Sequence, residues 1–178
     1  MMMHFNFILL FSILLCSNYY SDFIFEKPSR TVDRVFIHCS DSDWKHHDDI
    51  SVIRKWHVDE NGWGDVGYHF FIKRNGTIQK GRSLELTPSA QKRNNVRTIA
   101  ICLHGREKFT KKQFESLKKL CLEIHNSYQG KVTFHGHREV AREKTCPNFD
   151  YVKVLNLDGH GRMKGIENEH LCDETKNR

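Results

Sequence analysis

The apolar positions of this chain change period several times, and each change marks an element. Residues 31–39 end on the run Val35, Phe36 and Ile37, which predicts a buried strand. Residues 48–60 carry Ile50, Ile53 and Trp56 at helical spacing, with Asp48 or Asp49 as the cap and Asn61-Gly62 as the stop. The segment 66–73, VGYHFFIK, predicts a second strand, and Asn75-Gly76 turns it back into 77–80 as a hairpin. Residues 97–103, RTIAICL, are almost continuously apolar, the mark of a central strand covered on both faces. The clearest helix lies at 110–128. Thr110 and Gln113 form a capping box, Phe114, Leu117, Leu120, Cys121 and Ile124 make one stripe, and Gly130 ends it. A short strand at 131–134 then leads into His135 and His137, and beyond Asp150 the chain turns polar. Strands and helices alternate without a regular βαβ rhythm, and one hairpin is present. The expected fold is therefore α/β, a single mixed β-sheet flanked by helices.

The two ends differ from this middle. Residues 5–16, FNFILLFSILLC, are apolar except for Asn6 and Ser12. That run is too short to span a bilayer comfortably but suits the core of an export signal. No Lys or Arg precedes it, no small-x-small cleavage site follows, and Leu15 is too large for the residue before a lipidated Cys16. Three parts are expected: a hydrophobic signal or anchor at 1–25, a catalytic domain at 30–155 and a polar tail at 156–178. The expected location is periplasmic or extracellular, with membrane anchoring through residues 5–16 if the segment is retained. A formal net charge of +6 suits nucleic acid, an anionic membrane or an anionic polymer such as cell wall, and does not choose among them. There is no run of five or six Lys/Arg and no nucleic-acid motif, so nucleic acid is not an expected partner. The length allows one core and a monomer. The six cysteines include no C-x-x-C pair and suggest no disulfide framework. Cys39 and Cys102 read as buried thiols, Cys121 as an inner-face helix residue, and Cys172 falls in the tail.

Only Cys146 has neighbours that imply chemistry. His137 precedes it by nine residues, Lys144 by two, and Pro147 follows. His38 lies far upstream, at the end of the first strand. Two imidazoles and a thiolate make three ligands, one short of the tetrahedral set, and a catalytic zinc leaves that fourth position to water. The Lys144 cation favours the thiolate, the form that binds metal. In an extended segment His135 and His137 face the same side, and only one of them need be a ligand. Were His69 or His135 to add a fourth donor, the site would be structural instead. Strand alternation puts only one of Tyr68 and His69 on the site side, Tyr68 with Val66 and Phe70 or His69 with Gly67 and Phe71, and parity does not choose between them.

The ordered series VFIHCSDS, a helix ending in WH, GWGDVGYHFFIKRNGTIQKGR, ICLHG and HGHREVAREKTCPNFD resembles the type-2 N-acetylmuramoyl-L-alanine amidases. That group includes phage amidase-type lysozymes and peptidoglycan recognition proteins. The resemblance covers residues 30–150. It implies that His38, His137 and Cys146 bind Zn2+, that Tyr68 is the catalytic tyrosine, and that Lys144 is the catalytic lysine of the phage-type enzymes. The implied reaction is hydrolysis of the amide between N-acetylmuramic acid and L-alanine in peptidoglycan. The alternative is a non-catalytic recognition protein. Such proteins commonly lack the cysteine, which is present here. Some phage relatives also bind the phage RNA polymerase, a role that an exported chain would not serve. Host lysis, remodelling of the cell's own wall and recycling of wall fragments all fit the same chemistry. The chain departs from the pattern at three places. Thr87-Pro88-Ser89-Ala90 stands where relatives carry Gly-x-His-Ala. Asn148 follows Cys146-Pro147 where glycine is usual, and Asn accommodates the left-handed conformation. Arg97 stands where a small or acidic residue is usual, and is expected to add to a basic cleft.

Overall fold

Thr110 caps the longest helix as the sequence predicts. Its side chain accepts from the Gln113 backbone N–H, the Gln113 side chain answers to the Thr110 N–H, and the helix (α2) runs over Lys111–Ser127. The computed structural model describes residues 24–165. Before α2 come β1 (Arg34–Cys39), α1 (Ile50–Lys55), β2 (Phe70–Ile72), β3 (Ile78–Lys80) and β4 (Thr98–Leu103). After it come β5 (Thr133–Gly136) and α3 (Tyr151–Leu155). Asp49 caps α1 by accepting from the Ser51 N–H, and a π-helical turn, Trp56–Glu60, extends that helix. The five strands form one sheet in the order β3-β2-β4-β1-β5. β4 pairs in parallel with β1 and β2, β1 pairs in parallel with β5, and β3 alone is antiparallel. The sheet is mixed, and the apolar run at 98–103 is its middle strand.

Strand parity divides the core in two. Val35 and Ile37 of β1 join Ile99, Ile101 and Leu103 of β4 against the α2 stripe of Leu117, Leu120, Cys121 and Ile124. Residues of opposite parity face the other side. There His38 stands opposite Cys102 in the parallel ladder, and Phe71 lies on the other flank of Cys102. A smaller cluster of Ile53, Val66, Phe71 and Cys102, with Tyr68 packed against it, covers that face. The large core under α2 thus supplies rigidity, and the second face is left for chemistry.

Two expectations change. The strand predicted over 66–73 shrinks to Phe70–Ile72. His69 is the cause. Its backbone N–H donates to the Ala100 carbonyl at 3.0 Å, but its ring Nδ1, not a backbone carbonyl, accepts the Ala100 N–H at 3.0 Å. The ladder is broken at that point, and alternation fails across it. Tyr68 packs with Phe71, whereas Phe70 belongs to the α2 core. The packed unit also extends beyond 30–155 on both sides. Phe25 is buried, with its ring 6.3 Å from Phe70 and 6.4 Å from Tyr128. Leu157, inside the expected tail, is buried and bridges to Met163. The hydrophobic segment 5–16, Cys16 and Cys172 lie outside the described residues. Among the described residues no helix is long and apolar enough to cross a membrane.

Candidate metal centre

His38, His137 and Cys146 converge on the sheet face opposite α2, with one donor atom from each lying within 4.8 Å of the others. Each arrives by a different local device. His38 is delivered by β1, where strand parity turns it away from the α2 core. His137 opens a short 3₁₀ turn, His137–Glu139, directly after β5. Glycine at 136 leaves room for the packing beneath this turn, since a Cβ there would come within 2.6 Å of the Tyr151 ring and 3.1 Å of Pro147. Cys146 sits in the following loop, and its carbonyl accepts the Arg138 N–H at 2.9 Å, which ties the two segments together. Asn148 takes φ 64°, the left-handed conformation its place in the sequence predicts.

The donors are suited to a soft divalent ion. Nδ1 of His38 lies 3.9 Å from Sγ of Cys146, and the His38 and His137 ring centres are 4.7 Å apart. Ligands of a tetrahedral zinc stand about 3.5 Å from one another, so little contraction would close the set. Burial, with His137 alongside, pushes His38 down to about 3, so its imidazole is neutral at any ordinary pH. Burial and then Lys144 lower His137 as well. Neutral imidazole is the form that binds metal. The Cys146 thiol is pushed up by its hydrogen bond with the Cys39 thiol and by burial. The Cys39 backbone N–H acts the other way, donating to Cys146 Sγ at 3.2 Å. An ion bound here would release the thiol proton.

Tyr68 completes the cluster. Its ring is 5.2 Å from His38 and 5.6 Å from His57. Burial, then the neighbouring thiols, raise its hydroxyl well above the ordinary phenol value. His69 takes no part. Its Nδ1 accepts from Ala100 and its Nε2 donates to the Leu86 carbonyl at 2.9 Å. His135 is likewise committed, to Thr133 Oγ1 at 2.8 Å and Glu139 Oε2 at 2.7 Å. It lies on the same side of the sheet as His137, as the extended segment predicts: His135 pairs with Phe36 in the ladder, with the two rings 5.4 Å apart, and Phe36 shares its strand face with His38, whose ring is 4.7 Å from His137. His137 lines a cleft of about 1190 Å³ with Trp63, Gln91, Lys92, Arg93 and Lys144. Lys144 stands exposed on the turn whose N–H bonds to Ala141 at 2.9 Å. Arg97 is not part of this cleft and instead pairs with Asp33 at 2.8 Å. The basic character there comes from Lys92, Arg93, Arg142 and Lys144.

Sequence reasoning passed over three contributors: the Cys39 N–H, the His57–Trp63 ring pair at 4.5 Å, and Gln91, which is fully buried and meets His38 Nε2 at 3.1 Å. The WH and GW motifs carried a signal for the ring pair, whereas nothing local distinguished Gln91.

His69 also gives the fold a pH dependence. Burial holds its folded value down to about 4, against about 6.5 in an unfolded chain. A depressed histidine stabilises above its unfolded value, and that stability is lost as pH falls from about 6.5 toward about 4. Protonation would put a proton on Nδ1, where the Ala100 N–H now donates. Urea unfolding of metal-free protein is expected to show stability falling by about 1 kcal/mol per pH unit from His69 alone between pH 6 and pH 5. A flat profile across that interval would contradict this account.

A protein-family model described as Amidase_2, N-acetylmuramoyl-L-alanine amidase, matches residues 28–149. The endolysin of Enterobacteria phage T3 is 39% identical over 132 residues, which cover 70% of this chain and 85% of that protein. Among solved structures, the N-acetylmuramoyl-L-alanine amidase LysC from Clostridium intestinale is 27% identical with TM-score 0.63, covering 71% of this chain and 84% of that one. The ectodomain complex of peptidoglycan recognition proteins LCa and LCx, with bound tracheal cytotoxin, shares the fold at 20% identity and TM-score 0.64, covering 81% of this chain and 92% of that one.

Proposed function

The chain belongs to the N-acetylmuramoyl-L-alanine amidase family, and we propose that it is a zinc-dependent amidase that cuts the bond between N-acetylmuramic acid and L-alanine in peptidoglycan. The observation that carries this reading is the convergence of His38, His137 and Cys146 beside Tyr68, behind a cationic cleft. A zinc ion held by those three side chains would activate water and polarise the amide carbonyl. The rest falls to the chain itself. The raised hydroxyl of Tyr68 stays protonated at working pH and so serves as a hydrogen-bond donor toward the carbonyl oxygen. Lys144, on the cleft wall beside His137, offers positive charge to the same developing oxyanion. Trp63, backed by His57, gives the cleft an apolar wall, and Lys92, Arg93 and Arg142 suit a polymer whose stem peptides carry carboxylates. The likeness to a phage endolysin supports action on the cell wall from outside the cytoplasm.

Digestion of purified peptidoglycan, with products identified by mass, tests the reading. The expected products are stem peptides with a free L-alanine amine and glycan strands that gain no new reducing ends. Chelator should suppress their release and added zinc restore it. Wall fragments that bind but are recovered uncut would favour a non-catalytic recognition protein.

A further inference from the structure

We infer that Gln91 is a positioning residue that fixes the ring of His38, holding the proton on Nε2 so that Nδ1 presents a bare lone pair to the metal. The inference rests on the metal reading above and adds to it a residue from a loop with no evident chemistry of its own. It follows from counting protons along one chain of hydrogen bonds. Thr98 Oγ1 gives its only proton to the Asn95 carbonyl at 2.7 Å, so toward Gln91 it has lone pairs alone. The group facing it at 2.8 Å must therefore be the Gln91 amide nitrogen, whose other proton points to the Asn94 carbonyl at 3.4 Å. That leaves Oε1 as the atom 3.1 Å from His38 Nε2, and a carbonyl oxygen only accepts. Nε2 must then donate, and the unprotonated nitrogen is Nδ1, the atom 3.9 Å from Cys146 Sγ.

The loop holds this amide firmly. The Ala90 and Gln91 backbone N–H groups both donate to Asn95 Oδ1, at 3.1 and 2.9 Å, and the Asn94 N–H returns to the Gln91 carbonyl at 2.8 Å. Ser89 docks the same loop on the segment carrying Tyr68, its N–H donating to the Gly67 carbonyl at 3.0 Å. Gly67 allows the approach, since a Cβ there would come within 2.3 Å of the Ser89 carbonyl oxygen. Gln91 is fully buried, 53 residues from His38 in sequence, with every polar atom of its side chain engaged. A partner that sets the tautomer and ring angle of a metal-binding histidine typically changes metal affinity about 10–100-fold.

The test compares the unmutated chain with Gln91→Leu and Gln91→Glu, each first checked for a cooperative thermal melt. Ring-nitrogen NMR of metal-free protein reads the His38 tautomer, and zinc titration against a competing chelator reads affinity. The unmutated chain should hold the Nε2–H tautomer. Gln91→Leu should lose that preference and weaken zinc binding about 10–100-fold. Gln91→Glu keeps an acceptor for His38, with the Thr98 hydroxyl free to turn and donate to it, and should recover most of the loss. An unchanged tautomer and unchanged affinity in Gln91→Leu would overturn the inference while leaving the metal centre intact. If the unmutated chain showed the expected tautomer but bound no zinc, the metal reading would fail, and with it the role of Gln91 toward a metal.

Discussion

Replacing Cys146 with alanine should remove bound zinc and peptidoglycan hydrolysis together. With the sulfur gone, two imidazoles remain, and the Cys39 N–H that now points at Sγ loses its acceptor. Losing a partner of a ligand typically costs about 10–100-fold in metal affinity or activity, and losing one oxyanion donor about 10²–10³ in rate. Loss of a ligand itself should exceed both, so a fall of more than about a thousandfold in amide hydrolysis is expected. Zinc content should drop from one ion per chain toward none. The fold should survive, because Cys146 is half-buried in a loop while Val35, Ile101 and Leu117 build the core on the far side of the sheet. Metal analysis, a cooperative melt and product release measured on one preparation separate the outcomes. A folded Cys146→Ala protein that kept its zinc and its full rate would remove the sulfur from the site.

Tyr68→Phe should cost about 10²–10³ in turnover while leaving zinc content unchanged. The substitution deletes one hydroxyl and keeps the ring that packs 5.2 Å from His38. An interaction made only in the transition state lowers kcat and leaves KM steady, and that split is the expected signature. The pH profile adds a second check. Burial and the thiols around it raise Tyr68, so it remains a donor through the neutral and mildly alkaline range. Any alkaline loss of activity below the ordinary phenol value must then arise elsewhere and persist in Tyr68→Phe. A variant with undiminished kcat would assign the ring to packing alone.

What was readable in the sequence was what is local. The capping box of α2, its stripe from Phe114 to Ile124, and the hairpin at Asn75-Gly76 each depend on residues a few positions apart, and each formed as expected. His38 was visible because it ends an apolar strand, a rigid base from which a side chain can enter a cleft. Tyr68 and His69 were not separable, because the alternation that would decide between them stops where the His69 ring takes the Ala100 N–H. His135 and His137 share one side of the sheet, as an extended segment predicts, and their roles differ because Thr133 and Glu139 hold the His135 ring, a commitment that no local period encodes. Gln91 lay beyond reach for the same reason, since a loop glutamine acquires meaning only once the fold sets it against His38.

Amide hydrolysis, on the proposed reading, depends on one zinc ion held by His38, His137 and Cys146. The most direct test of this dependence is to strip the protein of metal and add zinc stepwise, following the appearance of L-alanine amines from peptidoglycan. Activity should climb in proportion to added zinc and level off at one equivalent per chain, with the Cys146→Ala protein showing no rise. Full hydrolysis by the stripped protein, or a plateau that the Cys146→Ala protein reaches equally well, would contradict it.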